Sequence, residues 1–202
     1  MKTHRIDVKL CARFRAPLEH FLPTLHTWVA EGALGEIWVD VAPYLHVPNG
    51  PGLVAVAHHA MFALDQRDGI DGIRYQTRRP RDPDVPALDV EAQVAYGVER
   101  VLAATARLRA RHGPEALDVD PRQWFVGVPD RLLAPPDEVA WAEARAAVER
   151  AMARATGATA VRCTPDRDAR RGVRFAVALE GGVRPDLLVP EDRDLQHGPT
   201  PV

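Results

Sequence analysis

Three segments with strand chemistry follow one another between residues 36 and 78, with only turn residues between them. EIWVDVAPYLHV (36–47) is rich in β-branched and aromatic side chains, and LVAVAHHAMFAL (53–64) is almost wholly apolar. IRYQTR (73–78) is the third. The first two are separated by Pro48-Asn49-Gly50-Pro51-Gly52, a dense turn signal, and the next two by the polar stretch from Asp65 to Gly72. Connections this short cannot carry a crossover helix, so each strand must return beside the last as a hairpin. This part of the chain therefore cannot belong to a doubly wound parallel sheet. Pro43 lacks a backbone N–H, which puts its strand at a sheet edge or at a bulge.

The rest of the chain supplies helices to cover that sheet. Residues 5–14 alternate, with Ile6, Val8 and Leu10 on one side and Asp7 and Lys9 on the other. In 17–33, Leu18, Leu22, Leu25 and Val29 form one helical face, Pro23 bends the helix or delays its start, and Gly32 stops it. A second helix over 88–112 carries Val90, Val94, Val98, Val101, Leu102 and Leu108, and Gly113-Pro114 ends it. A third, over 137–156, has Asp137 to cap it and Gly157 to close it. Short strands at 124–128, 159–163 and 172–179 complete the order β-α-β-β-β-α-β-α-β-β. The expected fold is α+β: a mixed or largely antiparallel sheet covered by three main helices. Residues 1–180 read as one domain. Residues 181–202, with Pro185, Pro190, Pro199 and Pro201, read as a flexible tail in which Leu187-Leu188-Val189 is the one apolar cluster.

Composition narrows the function classes. Hydrophobic residues are 46% of 202, enough for a core without disulfides or structural metal. The formal net charge of -2 gives no electrostatic reason to expect nucleic acid or membrane as a partner. The N-terminal residues are charged and lack the apolar stretch of a signal peptide, and no run is long enough to span a bilayer, so the expected location is cytoplasmic. Cys11 and Cys163 stand alone in strand segments and read as small buried residues. There is no P-loop, dinucleotide fingerprint, H-E-x-x-H, C-x-x-C or G-x-S-x-G, and the sequence points to no cofactor.

The candidate chemistry lies in the 36–64 hairpin. If its turn pairs Val47 with Leu53, then His46 faces Val54, Tyr44 faces Val56, Ala42 faces His58 and Asp40 faces Ala60. Alternation then puts Asp40, Tyr44, His46 and His58 on one face. Asp40 and His58 become diagonal neighbours at about 7–8 Å between Cα atoms, within reach of a carboxylate–imidazole contact. Such a pair is the working unit of many general bases. His26 on the first helix is aimed at the same sheet. These five residues are the candidate site for a small-molecule ligand. They make a poor metal site, since His46 and His58 sit on the order of 13 Å apart along a flat sheet. The alternative is that the histidines are structural and the protein is an accessory or interaction module. A second cluster, Arg74, Arg78, Arg79 and Arg81 around Tyr75, has the composition of an anion or single-strand site, but Asp82 and Asp84 offset it, leaving a solvated strand end. Trp141 lies among alanines on the third helix, a small-residue face that would suit a homodimer contact.

The stretch from Ile37 to Asp65 resembles a group of bacterial proteins of about 200 residues that share D-V-A-x-Y-x-H-V-x-x-G-P-G followed by a strand with H-x-A. The matching positions are Asp40, Val41, Ala42, Tyr44, His46, Val47, Gly50, Pro51, Gly52, His58 and Ala60. His59 departs from the pattern, which has Glu there. The group has no established activity, so the resemblance implies a cytosolic bacterial setting and attention to this hairpin, with no mechanism attached.

Overall fold

In a computed structural model of the chain, residues 1–78, 80, 86–133, 135, 137–166, 172–181 and 188 are described. The readings of Arg79, Arg81, Asp82 and Asp84, and of the tail beyond Gly181 apart from Leu188, lie outside them. In chain order the elements are β1 (Lys2–Thr3), β2 (Asp7–Phe14), a 3-10 turn (Leu18–Phe21), α1 (Leu22–Glu31), β3 (Trp38–Tyr44), β4 (Gly52–Ala57), β5 (Ala60–Asp65), β6 (Gly72–Thr77), β7 (Leu88–Asp89), α2 (Val90–His112), β8 (Leu117–Val128), α3 (Glu138–Thr156), β9 (Ala160–Pro165) and β10 (Val173–Glu180). Eight strands form one sheet in the order β3-β4-β5-β6-β2-β8-β10-β9, and every neighbouring pair is antiparallel. β1 and β7 pair separately. The α+β fold with three helices on a largely antiparallel sheet is the one the hairpin-rich order predicts.

The register explains how the sheet acquires two unlike faces. One cross-strand row runs Val41, Ala55, Phe62, Tyr75, Val8, Val126, Phe175 and Pro165. All three helices lie over this row. Trp28 of α1 meets Phe62 edge-on at 5.6 Å, and Trp141 of α3 meets Phe175 at 5.1 Å. α2 crosses closest: a Cβ on Gly97 would come within 2.6 Å of Ile6 Cδ1 and 3.0 Å of Val8 Cγ2. Any side chain there would have to displace the tip of Ile6. Each fully buried Phe or Leu in this layer contributes about 1.5–3 kcal/mol of transfer free energy.

The helices begin and end where capping chemistry places them. Asp89 and Asp137 accept from Ala92 N at 3.2 Å and Ala140 N at 2.8 Å, and Gly32 and Gly157 take left-handed backbone at the ends of α1 and α3. Pro23 falls in the first turn of α1, so it shifts the helix start and the preceding turn becomes 3-10.

Four expectations need correction. The single strand over 53–64 is two strands, β4 and β5, joined at His58-His59. The chain reverses at His58-His59, so β4 and β5 pair as an antiparallel hairpin, Val56 with Met61 and Leu53 with Leu64. The strand expected over 124–128 starts at Leu117. The alanine face of α3 is used inside the molecule: Trp141, Ala144, Ala147 and Ala151 are buried against the core. The hairpin register is the fourth, treated below. Pro43 does lie on an edge strand, in regular register opposite Leu53.

Candidate functional site

The five hairpin candidates do not converge. The connection after β3 is longer than a tight turn: it spans 45–51 and contains two successive turns, Val47 N donating to Tyr44 O and Gly50 N to Val47 O, each at 3.0 Å. Pairing therefore aligns Tyr44 with Gly52, Ala42 with Val54 and Asp40 with Val56. The slip is an even number of residues, so Asp40 and Tyr44 still share a face. His46 is left in the connection and His58 at the β4–β5 corner, where its N–H donates to Ile37 O at 3.1 Å. Both histidines are exposed, as is His26 between the buried Leu25 and Trp28 of α1. The Asp40–His58 contact of the expected register is not formed. Arg74 and Tyr75 point to opposite faces, so the arginine cluster is not one patch. Arg74 forms a two-pronged pair with Asp7, and Arg78 Nη1 donates to Ala57 O at 3.3 Å.

The face that no helix covers among the described residues carries a network that the sequence pattern did not reveal. Its central row runs Ala42, Val54, Ala63, Arg74, Lys9, Phe125, Ala176 and Thr164. Lys9 is 2% exposed and Asp65 is fully buried, with Lys9 Nζ to Asp65 Oδ2 at 2.7 Å. The amine also donates to the carbonyls of Arg67 at 3.2 Å and Ile70 at 2.5 Å. Lys9 reaches Asp65 by crossing Gly72, where a Cβ would lie 2.7 Å from Lys9 Cε. Arg67 pairs with the other oxygen of Asp65, and Arg174 stacks 4.6 Å from the Phe125 ring. Buried charges persist only when paired and hydrogen-bonded in this way. The signal in the sequence was a lysine in an alternating strand diagonal to a glycine, which is readable only once the pairing is known.

Beside this network the β2–β8 ladder breaks. Leu10 aligns with Trp124 but Ala12 aligns with Val119, so residues 120–122 of β8 bow out opposite Cys11. Pro121 cannot donate to a ladder, Asp120 Oδ1 accepts from Arg122 N at 3.0 Å, and Trp124 Nε1 donates to Pro121 O at 2.8 Å. The break leaves a groove of about 380 Å³ bordered by Cys11, Arg13, Ile70, Asp118, Asp120, Gln123, Phe125 and Ala176. Lys9 holds one wall in place through its bond to Ile70 O. Asp118 is balanced by Arg15 at 2.9 Å and by Arg13 directly across the ladder. Among the described residues, Asp120 Oδ2 and the Gln123 amide take no hydrogen bond. Burial pushes the Cys11 thiol up from its usual range and Asp120 adds to this, while Lys9 and Arg174 oppose it. Cys11 therefore rests as a thiol, a poor nucleophile.

A second polar cluster, on the helix side, is fully engaged. Tyr75 donates to Glu36 Oε1 at 2.8 Å, Arg100 lies 4.4 Å over the Tyr96 ring, and Arg100 Nη1 donates to Leu34 O at 2.5 Å. Burial raises the pKa of both phenols, and the Glu36 carboxylate raises both further. They stay protonated, and it is the Arg100 bond to Leu34 O that ties the left-handed turn at Leu34 to α2. No group of three or more His, Cys, Asp or Glu is arranged to hold a metal among the described residues, nor is any helix there long and apolar enough to cross a membrane. No protein-family model matches the chain, and no curated protein matches it either.

Proposed function

We propose that the protein binds a small amphipathic cation, an amine with an apolar body, in the groove at the β2–β8 break. The observation that carries this reading is the combination of unengaged polar groups, Asp120 Oδ2 and the Gln123 amide, with an apolar lining of Ile70, Phe125 and Ala176. The lining is mixed, with Arg13, Asp118, Asp120 and Gln123 beside the apolar residues, and the volume lies within the 300–1,000 Å³ of small-molecule sites. The sign of the ligand follows from which carboxylate is already partnered. Asp118 is offset by its arginines, while Asp120 is left to bind an ammonium group. Asp40 and Tyr44 share this face but lie four strands from β2, about 19 Å at 4.8 Å per strand, and take no part.

Thermal-shift and calorimetric titrations with phenethylamine, and with phenylacetate as its anionic counterpart, test the reading. The amine is expected to stabilise the protein and the acid to have no effect. Asp120→Asn should weaken amine binding about tenfold, the loss of one charge-assisted hydrogen bond, and Ala176→Phe should block it by filling the groove. Equal response to amine and acid, or amine binding untouched by both variants, would sink the proposal.

A further inference from the structure

Two arginines and two aspartates stand along the β2–β8 break: Arg13, Arg15, Asp118 and Asp120. One of each is already used, because Arg15 Nη2 donates to Asp118 Oδ2 at 2.9 Å. Arg13 aligns with the same aspartate across the ladder, yet among the described residues its guanidinium makes no hydrogen bond or ion pair. Asp120 gives one oxygen to Arg122 N and keeps Oδ2. The border of the groove is thus left with one unengaged guanidinium and one unengaged carboxylate oxygen. The two do not pair with each other, because Arg13 stays in the ladder while residues 120–122 bow out of it.

We infer that the groove takes the zwitterion of a free α-amino acid with an apolar or aromatic side chain. The inference rests on the amine-binding reading above and narrows its ligand class. Asp120 Oδ2 accepts from the ammonium group, and Arg13 donates to the carboxylate, whose two oxygens match the planar fork of a guanidinium. The Gln123 amide can donate to one end of the ligand or accept from the other. Ile70, Phe125 and Ala176 receive the side chain. A plain amine would leave Arg13 without a partner. A plain acid would set a second negative charge beside Asp120. A zwitterion answers both groups and brings no net charge into the groove.

Calorimetric titration of the full-length chain compares L-phenylalanine with phenethylamine, which lacks the carboxylate, and with N-acetyl-L-phenylalanine, which lacks the ammonium group. Phenylalanine is expected to bind about tenfold tighter than phenethylamine, the worth of one charge-assisted contact, and the acetylated compound not at all. Arg13→Met, at an exposed position, should erase that ratio. Asp120→Asn should weaken phenylalanine binding about tenfold, and melting curves check that both variants fold. Phenethylamine binding as tightly as phenylalanine, or a preference for phenylalanine that survives Arg13→Met, would overturn the inference and leave the amine reading standing. Binding of neither compound would remove both.

Discussion

The two faces of the sheet are built from the same strands yet are stabilised differently. On the helix side, the row from Val41 to Phe175 is closed by α1, α2 and α3, and its residues are apolar or, like Tyr75, satisfied by a single partner. On the other side no helix among the described residues closes the row, and its centre is filled by Lys9, Arg74 and Arg174 with Asp7 and Asp65. The first face gains stability by excluding water from carbon. The second gains little from its ion pairs relative to an apolar equivalent, because desolvation offsets most of the attraction. Its pairs instead fix positions: Lys9 pins the 66–71 segment through the carbonyls of Arg67 and Ile70, and so shapes the groove. One face sets how firmly the domain folds, and the other sets where its surface groups stand.

Substitutions test that contrast. Phe62→Ala, beneath Trp28, should cost about 4 kcal/mol in urea unfolding, the transfer and cavity terms together. A loss under 1 kcal/mol would show that the helix layer does not close this face. Asp65→Leu, which leaves Lys9 buried without its carboxylate, should cost about 3 kcal/mol, and adding Lys9→Met should restore most of the loss. If the double variant is as unstable as the single one, the pair is a source of net stability and the contrast fails.

The thiols give the smallest effect and the sharpest readout, since each face holds one. Cys163 lies in the helix-side layer, where burial pushes its pKa up to about 12; Glu149 raises it further and Arg145 opposes. Cys11 lies in the groove, half-buried, with a pKa raised less. At neutral pH one thiol per chain should react slowly with an aromatic disulfide reagent, faster as pH rises toward the Cys11 value. The second should react only on unfolding. Two equal rates in the folded protein would put both thiols on comparable surfaces.

The helix boundaries were legible because their signals are local. Asp89, Asp137, Gly32, Gly113 and Gly157 mark ends through bonds spanning three or four residues. Pro43 narrowed its strand to a sheet edge or a bulge, and the strand order puts β3 at the edge. The hairpin register was not legible. The turn-rich stretch 48–52 suggested the tightest closure, but the chain spends seven residues between β3 and β4, and that slip separates His46 and His58 from Asp40. The β4–β5 corner was hidden because His58-His59 carries no Gly, Pro or Asn to mark it. The groove was hidden because it lies in the part of β8 before residue 124, outside the strand expected over 124–128.

The amino-acid order by itself determined the fold class, the three helices and which residues of each are apolar, since periodicity and capping depend on near neighbours. Only the tertiary structure decided which charges are buried together and where the ladder breaks. Lys9 finds Asp65, and Cys11 faces the bowed residues of β8, through strand pairings between residues tens to more than a hundred positions apart. Those registers are set by how the whole apolar row fits beneath three helices, a global packing condition that no local window contains.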